Sequence, residues 1–218
     1  VGRGKQAGSP DGTVEFNLIE GGFKGPVMPV NPDRQSVAGV LAYKDIASLP
    51  VVPDLAILTT PLEEASPLIG ELGARGTKAA LLLSREILQD HRGDKAALLS
   101  QEMQGKYPDE GESLKRKILE TAKPFLLRVM GPDHLGYAVP AANVNASLSA
   151  TRPLPGHIAL LCQSAAIMRG VIDWATGRNI GFSHVISVGM RWDVDLGDLL
   201  DYLLQDSNTR AILMYMES

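Results

Sequence analysis

Short apolar runs of strand length alternate along the chain with longer segments in which apolar residues recur every three or four positions. This alternation is typical of parallel βαβ units. The predicted strands cover residues 25–31, 54–60, 78–84, 126–130, 157–164, 184–188 and 209–216. The predicted helices cover residues 13–20, 61–72, 113–123, 165–177 and 196–204. The pattern therefore predicts an α/β protein, in which Phe16 of the first helix and Trp174 of the fourth face the core.

Two segments interrupt this order. Residues 84–112 are rich in polar residues and exceed the usual length of a connection in α/β units. We predict a surface insertion there, partly helical over 96–101. Residues 152–156 contain two prolines, which remove backbone donors and resist both helix and central strand, so this segment is predicted to be a linker. The predicted domains are therefore 1–151 and 152–218.

Both ends of the chain have the pattern of buried strands. Val1 reads as the last residue of a strand that runs into a glycine-rich turn, and residues 209–216 form a predicted strand at the other end. A doubly wound domain needs about five strands, whereas three are readable after residue 157. We therefore expect the second domain to be truncated and residues 209–216 to be exposed, which favours a homodimer or aggregation.

Composition and charge exclude several classes of protein. The chain has 21 basic and 25 acidic residues, a net charge of −4, and its basic residues are scattered, so nucleic acid is not an expected partner. No apolar run approaches the ~20 residues that cross a bilayer, so no membrane partner is expected. Cys162 is the single cysteine, which excludes an internal disulfide and favours a cytoplasmic location. Its place in an apolar strand predicts a buried thiol.

Candidate chemistry lies in the turns that follow the predicted strands, because parallel sheets bind ligands beyond the carboxyl ends of their strands. Gly2, Gly4 and Gly8 precede the first helix, where glycines and the helix N-terminus can approach a diphosphate. The acidic residue that usually binds the NAD ribose is replaced by Asn31 and Pro32. NAD is therefore disfavoured as the ligand.

Several blocks of the sequence together resemble the NDP-forming (ADP-forming) acyl-CoA synthetases, which include the alpha subunit of succinyl-CoA synthetase. The blocks are residues 25–32, 49–57, 128–136, 161–165, 173–174 and 179–183. Within this family they look most similar to the synthetase-like region of bacterial protein lysine acetyltransferases. The resemblance implies a Rossmann-like CoA-binding domain followed by a truncated flavodoxin-like domain.

The resemblance also implies a set of ligand-binding positions along the bound CoA. Gly2, Gly4 and Gly8 correspond to the loop around the diphosphate, and Val30, Asn31 and Pro32 flank the adenosine. Thr60 and Pro61 border the pantetheine. Asp133 and His134 lie in the turn at the thiol end, and Gln163 and Ser164 lie in a turn that holds phosphate in active synthetases.

The sequence departs from the family pattern at both of the last two turns. Asp133 replaces an asparagine, and a carboxylate accepts hydrogen bonds without donating any. Cys162 and Ala165 replace the serine and the glycine that flank the Gln163–Ser164 pair in active synthetases. These changes favour reduced synthetase chemistry.

No catalytic residue and no metal ligand is predicted. None of His91, His134, His157 and His184 matches the histidine that the family phosphorylates, and the four are too dispersed for a metal site. His157 and His184 are predicted to lie at an edge or on the surface. Asp193 and Asp195 could hold Mg²⁺, but a helix N-cap is the preferred role for Asp195.

Two functions remain open at this point. The preferred one is a CoA- or acyl-CoA-binding regulatory module beside an acetyltransferase domain. The alternative is part of a catalytic NDP-forming ligase that converts acyl-CoA, ADP and phosphate into acid, CoA and ATP. With either function, the expected ligand is CoA or acyl-CoA. The longer protein is expected to bind ATP or ADP, and the expected partners are other domains of that polypeptide.

Overall fold

The computed structural model describes residues 1–2, 10–83 and 108–217 of the chain. The helices within these residues are α1 (Pro10–Ile19), α2 (Ala65–Arg75), α3 (Pro108–Ala122), α4 (Ala165–Thr176) and α5 (Leu196–Gln205). The strands are β1 (Ser36–Val37), β2 (Val40–Leu41), β3 (Leu55–Leu58), β4 (Ala79–Leu82), β5 (Arg128–Met130), β6 (Gly136–Val139), β7 (Val144–Ser147), β8 (Pro155–Cys162), β9 (Phe182–Ser187) and β10 (Ala211–Tyr215). None of these helices is long and apolar enough to cross a membrane.

The first sheet is parallel throughout, with strand order β3-β4-β5. Its apolar side chains pack with Ile69 and Leu72 of α2 and Ile118 of α3 in one buried cluster. Val1 extends the sheet beyond β3, because its nitrogen donates to the Ile57 carbonyl at 2.7 Å and its carbonyl accepts from Thr59 N at 3.1 Å. This is the hydrogen-bond pattern of a parallel strand pair.

The second sheet is mixed, with strand order β10-β8-β9-β6-β7. Strand β8 pairs in parallel with both β9 and β10, whereas β6 pairs antiparallel with β9 and β7. Helix α4 buries Met168 and Ile172 in one apolar cluster, and α5 buries Leu199 and Leu203 in another that also contains Ile186 of β9. The predicted α/β class is confirmed.

The two sheets share a core and a hydrogen-bonded segment. Leu81 and Leu83 belong to the same buried cluster as Leu160 of β8 and Val185 of β9. Residues 190–194 then run back along β5, with Met190 N donating to Pro132 O at 2.8 Å, Trp192 N to Gly131 O at 3.3 Å and Val194 N to Val129 O at 3.1 Å. This pairing fixes the turn after β5 against the turn after β9.

The predicted strand over 25–31 is wrong. Within these residues only Val30 makes a β-bridge, a parallel one to Tyr43. Pro26 and Pro29 interrupt the segment, and a proline cannot donate to a sheet ladder. The backbone is nevertheless paired here, since Asn31 N donates to Tyr43 O at 2.8 Å and Val30 O accepts from Gly2 N at 3.3 Å.

The predicted linker over 152–156 is also wrong at its end, because β8 begins at Pro155. Proline is tolerated as the first residue of a strand, where no ladder hydrogen bond from its nitrogen is needed. The β6–β7 hairpin was not predicted, and it adds two strands from before residue 152 to the second sheet. The domain boundary at 151/152 stays a prediction. The second sheet contains strands from both sides of it.

Two helices bury other faces than those expected. Phe16 is 58% exposed while Val14 is buried, and Trp174 is 54% exposed while Met168, Ile172 and Ala175 are buried. Apolar residues form two neighbouring stripes along α4. The stripe that contains Met168, Ile172 and Ala175 packs against the sheet, and the stripe that contains Trp174 does not. Of the predicted insertion, residues 108–112 belong to α3, and the rest, including the predicted helix over 96–101, lies outside the described residues.

Candidate functional site

The carboxyl edge of the first sheet brings four of the predicted ligand-binding residues together. Gly2 is buried and its nitrogen donates to the Val30 carbonyl at 3.3 Å. Val30 and Asn31 are buried beside it, and Thr60 follows β3 at the same edge. Pro32 and Pro61 are exposed next to these residues. Gly4 and Gly8 lie outside the described residues.

Asn31 is held by its own turn. Its Oδ1 accepts from Asp33 N at 3.0 Å, which is a local side-chain turn typical of asparagine. This bond fixes the direction of the chain after Val30. The side chain is 5% exposed, so its remaining polar atoms face the protein or a ligand that enters this edge.

Thr60 carries an unsatisfied polar atom at this edge. Its Oγ1 is buried and has no hydrogen-bond partner among the described residues. A buried hydroxyl without a partner costs about 1–3 kcal/mol, so a native structure usually supplies one. The residue thus fits a ligand that brings a hydrogen-bonding group to the end of β3.

His134 lies beneath the turn that follows β5. Its side chain is 5% exposed, and its Nδ1 accepts from Gly136 N at 3.0 Å, which places the ring proton on Nε2. Nε2 faces the carbonyls of Met130 and Leu82 without a hydrogen bond of ordinary geometry. Burial lowers the pKa of His134 to about 4, so the ring is neutral at physiological pH.

The same turn presents Asp133 toward the second sheet. Asp133 has a φ of +60°, a left-handed conformation that aspartate and asparagine tolerate better than most residues. Its side chain is half-buried, and burial together with the charge of Glu217 raises the pKa of its carboxyl. The loop after β9 packs closely against this turn, because a Cβ on Gly189 would lie 2.3 Å from Pro132 O.

Gln163 links the ends of β8 and β10. Its nitrogen donates to Tyr215 O at 3.0 Å, and its Oε1 accepts from Glu217 N at 3.1 Å. Ser164 is the N-cap residue of α4, but its side chain makes no capping hydrogen bond. The Ser164 hydroxyl therefore accepts no hydrogen bond from the backbone N–H groups in the first turn of α4.

Cys162 is buried at the end of β8, as predicted. Its Sγ donates to Ser164 O at 3.1 Å. Burial is the main cause that raises the pKa of this thiol, and Glu217 adds to it. A thiol with a raised pKa is a poor source of thiolate.

The structure thus groups the predicted residues in two neighbourhoods. Gly2, Val30, Asn31 and Thr60 share the edge of the first sheet, and the backbone of residues 131–134 continues this edge after β5. At the end of the second sheet, Gln163 Oε1 accepts from Glu217 N, and the charge of Glu217 acts on Asp133. The sequence analysis missed Glu217 and Gly189. Each of them comes directly after a predicted strand. Because ligands bind beyond the carboxyl ends of parallel strands, this position could have indicated them.

The other histidines lie elsewhere. His157 is exposed, as predicted, and its Nδ1 lies 2.9 Å from Asn208 O. His184 is buried, so its predicted edge or surface position is wrong: Tyr202 of α5 covers its ring, with Nε2 3.2 Å from the phenol oxygen. Among the described residues, no group of three or more histidine, cysteine and acidic side chains could hold a metal ion. Asp195 caps α5, as predicted.

Two family models match the chain in succession. Residues 1–140 match the model described as a CoA binding domain, and residues 155–218 match the one described as a succinyl-CoA ligase like flavodoxin domain. The chain therefore belongs to the CoA-binding-domain family. This match confirms the expected CoA ligand and the resemblance to NDP-forming acyl-CoA synthetases, while the predicted link to acetyltransferases is not shown.

Relatives with a curated name cover the whole chain. The alpha subunit of acetate–CoA ligase (ADP-forming) I from Pyrococcus furiosus is 30% identical over 221 residues, which are 100% of this chain and 44% of the relative. Acetate–CoA ligase (ADP-forming) I from Archaeoglobus fulgidus is 31% identical over 217 residues, 100% of this chain and 29% of the relative. The chain thus spans less than half the length of these relatives.

Solved structures show the same fold. Acetyl-coenzyme A synthetase 1 from Ca. Korarchaeum cryptofilum, described as dinucleotide forming, superposes with a TM-score of 0.83 in its apo form, at 28% identity. The match covers 100% of this chain and 43% of the synthetase. A second structure of that synthetase, in complex with phosphate and ADP, gives a TM-score of 0.83 at 27% identity and the same coverage.

Proposed function

We propose that this chain is the CoA-binding region of an ADP-forming acyl-CoA synthetase. The observation that carries the proposal is the succession of a CoA-binding unit and a ligase-like unit whose strand ends face one another across residues 131–134 and 189–194. This is the function that the sequence analysis held as its alternative. The relatives named above are ligases, which supports it over the acetyltransferase-associated module.

The proposed ligand lies along the carboxyl edges of both sheets. Gly2 and the glycine-rich turn after it would bind the diphosphate, and Val30, Asn31 and Pro32 would contact the adenosine. Thr60 and Pro61 would border the pantetheine, with the Thr60 hydroxyl donating to or accepting from one of its amides. The acyl or thiol end would then reach the turn that contains Asp133.

The reaction proposed for the whole protein is conversion of acyl-CoA, ADP and phosphate into the free acid, CoA and ATP. In this reaction the chain's own residues bind and orient the acyl-CoA, while Gln163, Ser164 and the first turn of α4 offer hydrogen-bond donors near the acyl end. A helix N-terminus favours negative charge, so an anion could be held there. A cytoplasmic location is part of the same proposal.

A non-catalytic CoA-binding role remains as a second candidate. The observation that favours it is the replacement of the flanking serine and glycine by Cys162 and Ala165, together with a Ser164 side chain that makes no capping bond. Under this second candidate CoA binds, but a complex with the rest of the synthetase forms no ATP from acetyl-CoA, ADP and phosphate. Under the first candidate ATP is formed.

The binding site is tested by removing the Thr60 hydroxyl. The Thr60→Val variant keeps the shape of the side chain, and we expect its Kd for CoA to rise about fivefold, the effect of about 1 kcal/mol for one hydrogen bond. Its free energy of unfolding should not fall, because the hydroxyl has no hydrogen-bond partner among the residues that the structure describes. Calorimetric titration with CoA and chemical denaturation measure the two quantities.

The matched control is Thr77→Val. Thr77 is fully buried before β4, at the opposite end of the sheet, and its Oγ1 also has no hydrogen-bond partner in the described part of the chain. This variant should change the free energy of unfolding in the same direction as Thr60→Val and leave the Kd for CoA unchanged. Equal Kd values for the two variants and the unmodified chain would contradict the assigned position of the pantetheine.

A further inference from the structure

The outer edge of β5 is covered by residues 192–194, which follow β9 in the chain. Val129 directs both its nitrogen and its carbonyl toward this segment, because Val194 N donates to Val129 O at 3.1 Å and Val129 N donates to Asp193 Oδ2 at 2.8 Å. On its other side β5 pairs with β4. The short strand is therefore held between a strand of its own sheet and a segment that belongs to the second unit.

The Asp193 side chain takes the place of a backbone acceptor in this pairing. In a regular antiparallel pair, two opposite residues exchange both of their N–H···O bonds. Val129 and Val194 make one such bond, and the second donor of the pair, Val129 N, is bound by the Asp193 carboxylate. A charged acceptor forms a stronger hydrogen bond than a neutral carbonyl does. Asp193 thus ties β5 to the second unit through the backbone.

Asp193 also pairs with Arg128, but this contact is more exposed. Arg128 Nε lies 3.0 Å from Asp193 Oδ2, and Arg128 Nη2 lies 2.8 Å from Asp198 Oδ2. The Arg128 side chain is 50% exposed, whereas the Asp193 side chain is 27% exposed. Exposed ion pairs contribute little, because water screens both charges. The bond to Val129 N is therefore the contact through which Asp193 fixes the end of β5.

The turn that follows β5 depends on the position of this strand end. Val129 precedes Gly131 by two residues, and Gly131 O accepts from Trp192 N at 3.3 Å on the same outer edge. Trp192 also packs against the apolar cluster that contains Val129. A displacement of β5 would thus be passed to residues 131–134, which continue the carboxyl edge of the first sheet.

Asp193 is remote from the opposite end of the same edge. Val1 extends the sheet beyond β3, and the strand order is β3-β4-β5, so Gly2 lies outside β3 while Asp193 lies outside β5. The spacing of neighbouring strands separates β3 from β5 by about 10 Å. Loss of the Asp193 carboxylate should therefore disturb residues 131–134 and leave the contact between Gly2 and Val30 in place.

We propose that Asp193 is a positioning residue of the CoA site. By accepting from Val129 N, it fixes residues 131–134 for the part of CoA that extends beyond the adenosine end. The inference rests on the proposed CoA-binding function and adds to it a residue that acts through the backbone of β5. Adenosine 3′,5′-bisphosphate, which contains only the adenosine end of CoA, should bind independently of Asp193.

The experiment is calorimetric titration of the chain with CoA and with adenosine 3′,5′-bisphosphate. In Asp193→Ala we expect the Kd for CoA to rise about tenfold, the effect of one hydrogen bond to a charged group, and the Kd for the bisphosphate to stay unchanged. Asp193→Asn keeps an oxygen that can accept from Val129 N, so it should retain most of the affinity for CoA. Hydrogen exchange of the Val129 amide should be faster in Asp193→Ala than in Asp193→Asn.

Two further variants separate the bond to Val129 N from the surface charges around it. Arg128→Gln removes both ion pairs and keeps the Asp193 carboxylate, so the Kd for CoA should change little. Asp201→Ala removes an exposed carboxylate from α5 and is the matched control, for which the Kd values for both ligands should stay unchanged.

An unchanged Kd for CoA in Asp193→Ala would overturn the proposal. An equal loss of affinity for CoA and for the bisphosphate would also overturn it, because it would show a general structural role for Asp193. A loss in Arg128→Gln as large as that in Asp193→Ala would assign the effect to the ion pairs and contradict the role of Val129 N. Absence of CoA binding by the unmodified chain would overturn the proposed function, and this inference with it.

Discussion

At the level of single residues, burial of His134 makes the stability of the folded chain depend on pH. An imidazole in the unfolded chain titrates near 6.5, whereas burial lowers the pKa of His134 to about 4. Between these values the unfolded chain binds a proton that the folded chain does not bind. The folded state therefore has its full stability above about pH 6.5 and loses part of it as the pH falls toward 4.

We predict a loss of about 2 kcal/mol in the free energy of unfolding of the chain between pH 7 and pH 5 from His134 alone. Buried His184, whose pKa is also lowered by burial, acts in the same direction. Chemical denaturation measures the free energy of unfolding at the two pH values. The loss between pH 7 and pH 5 should be smaller for His134→Gln than for the unmodified chain. His157→Gln, at an exposed position, serves as the control and should show the unmodified difference. An equal pH difference in all three proteins would contradict the buried, neutral state of His134.

The residue types at the site could be predicted, but their surroundings could not. The position of Asn31 after an apolar run and of Thr60 at the end of a strand follows from the order of elements, because parallel strands end at one edge. That the Thr60 hydroxyl is buried with no hydrogen-bond partner among the described residues is a result of tertiary packing. The electrostatic effect of Glu217 on Asp133 acts between residues far apart in sequence, and no local pattern encodes it.

At the scale of elements, α5 begins with a capping box that also anchors β5. Asp195 Oδ1 accepts from Asp198 N at 3.0 Å, and Asp198 Oδ2 accepts from Asp195 N at 3.2 Å. Arg128 of β5 bridges Asp193 and Asp198 at 3.0 and 2.8 Å. The start of the helix is thus fixed by backbone donors and by a cation from the first sheet.

We predict that Asp195→Ala lowers the free energy of unfolding by about 1 kcal/mol, because it leaves the Asp198 nitrogen without its acceptor. Asp195→Asn retains an acceptor oxygen and should lose much less. The comparison is made by chemical denaturation, with Asp201→Ala on the exposed face of α5 as the control. A loss in Asp201→Ala equal to that in Asp195→Ala would show that the cap has no special role.

Where the hydrophobic pattern is strong, the predicted bounds of an element lie within a few residues of the observed ones, as for β9 and α5. The strand predicted over 25–31 failed because Pro26 and Pro29 remove ladder donors from an apolar run. The β6–β7 hairpin was overlooked: Gly136–Val139 alternates in burial and the chain turns at Asn143, which has a φ of +56°, but Val144–Ser147 is buried at three consecutive residues and does not alternate. Trp174 was placed in the core because a stripe of large apolar residues suggested it, whereas the sheet packs against the neighbouring stripe.

At the scale of the whole molecule, the second sheet ends in an open apolar edge. Strand β10 pairs with β8 on one side, and no described strand pairs with it on the other. Leu213, Met214, Tyr215 and Met216 are exposed along it. Unpaired backbone groups beside apolar side chains favour association with another strand.

We predict that the 218-residue chain associates in a concentration-dependent way and that Leu213→Lys weakens this association, because a charged side chain on an edge strand disfavours pairing. Sedimentation velocity over a range of concentrations measures the effect. Leu126→Lys changes an apolar side chain that is 82% exposed before β5 and should leave association unchanged. A monomer at high concentration in the unmodified chain would contradict this expectation.

The proposed function requires that the carboxyl edges of the two sheets bind CoA. The most direct measurement is calorimetric titration of the unmodified chain with CoA and, separately, with NAD. NAD shares the adenosine and diphosphate but lacks the pantetheine, and Asn31 stands where an NAD site usually has an acidic residue. We predict saturable binding of CoA with an affinity at least about tenfold higher than that for NAD, the difference expected when the pantetheine contributes more than one hydrogen bond. Equal affinity for the two ligands, or no binding of CoA, would contradict the proposed CoA site.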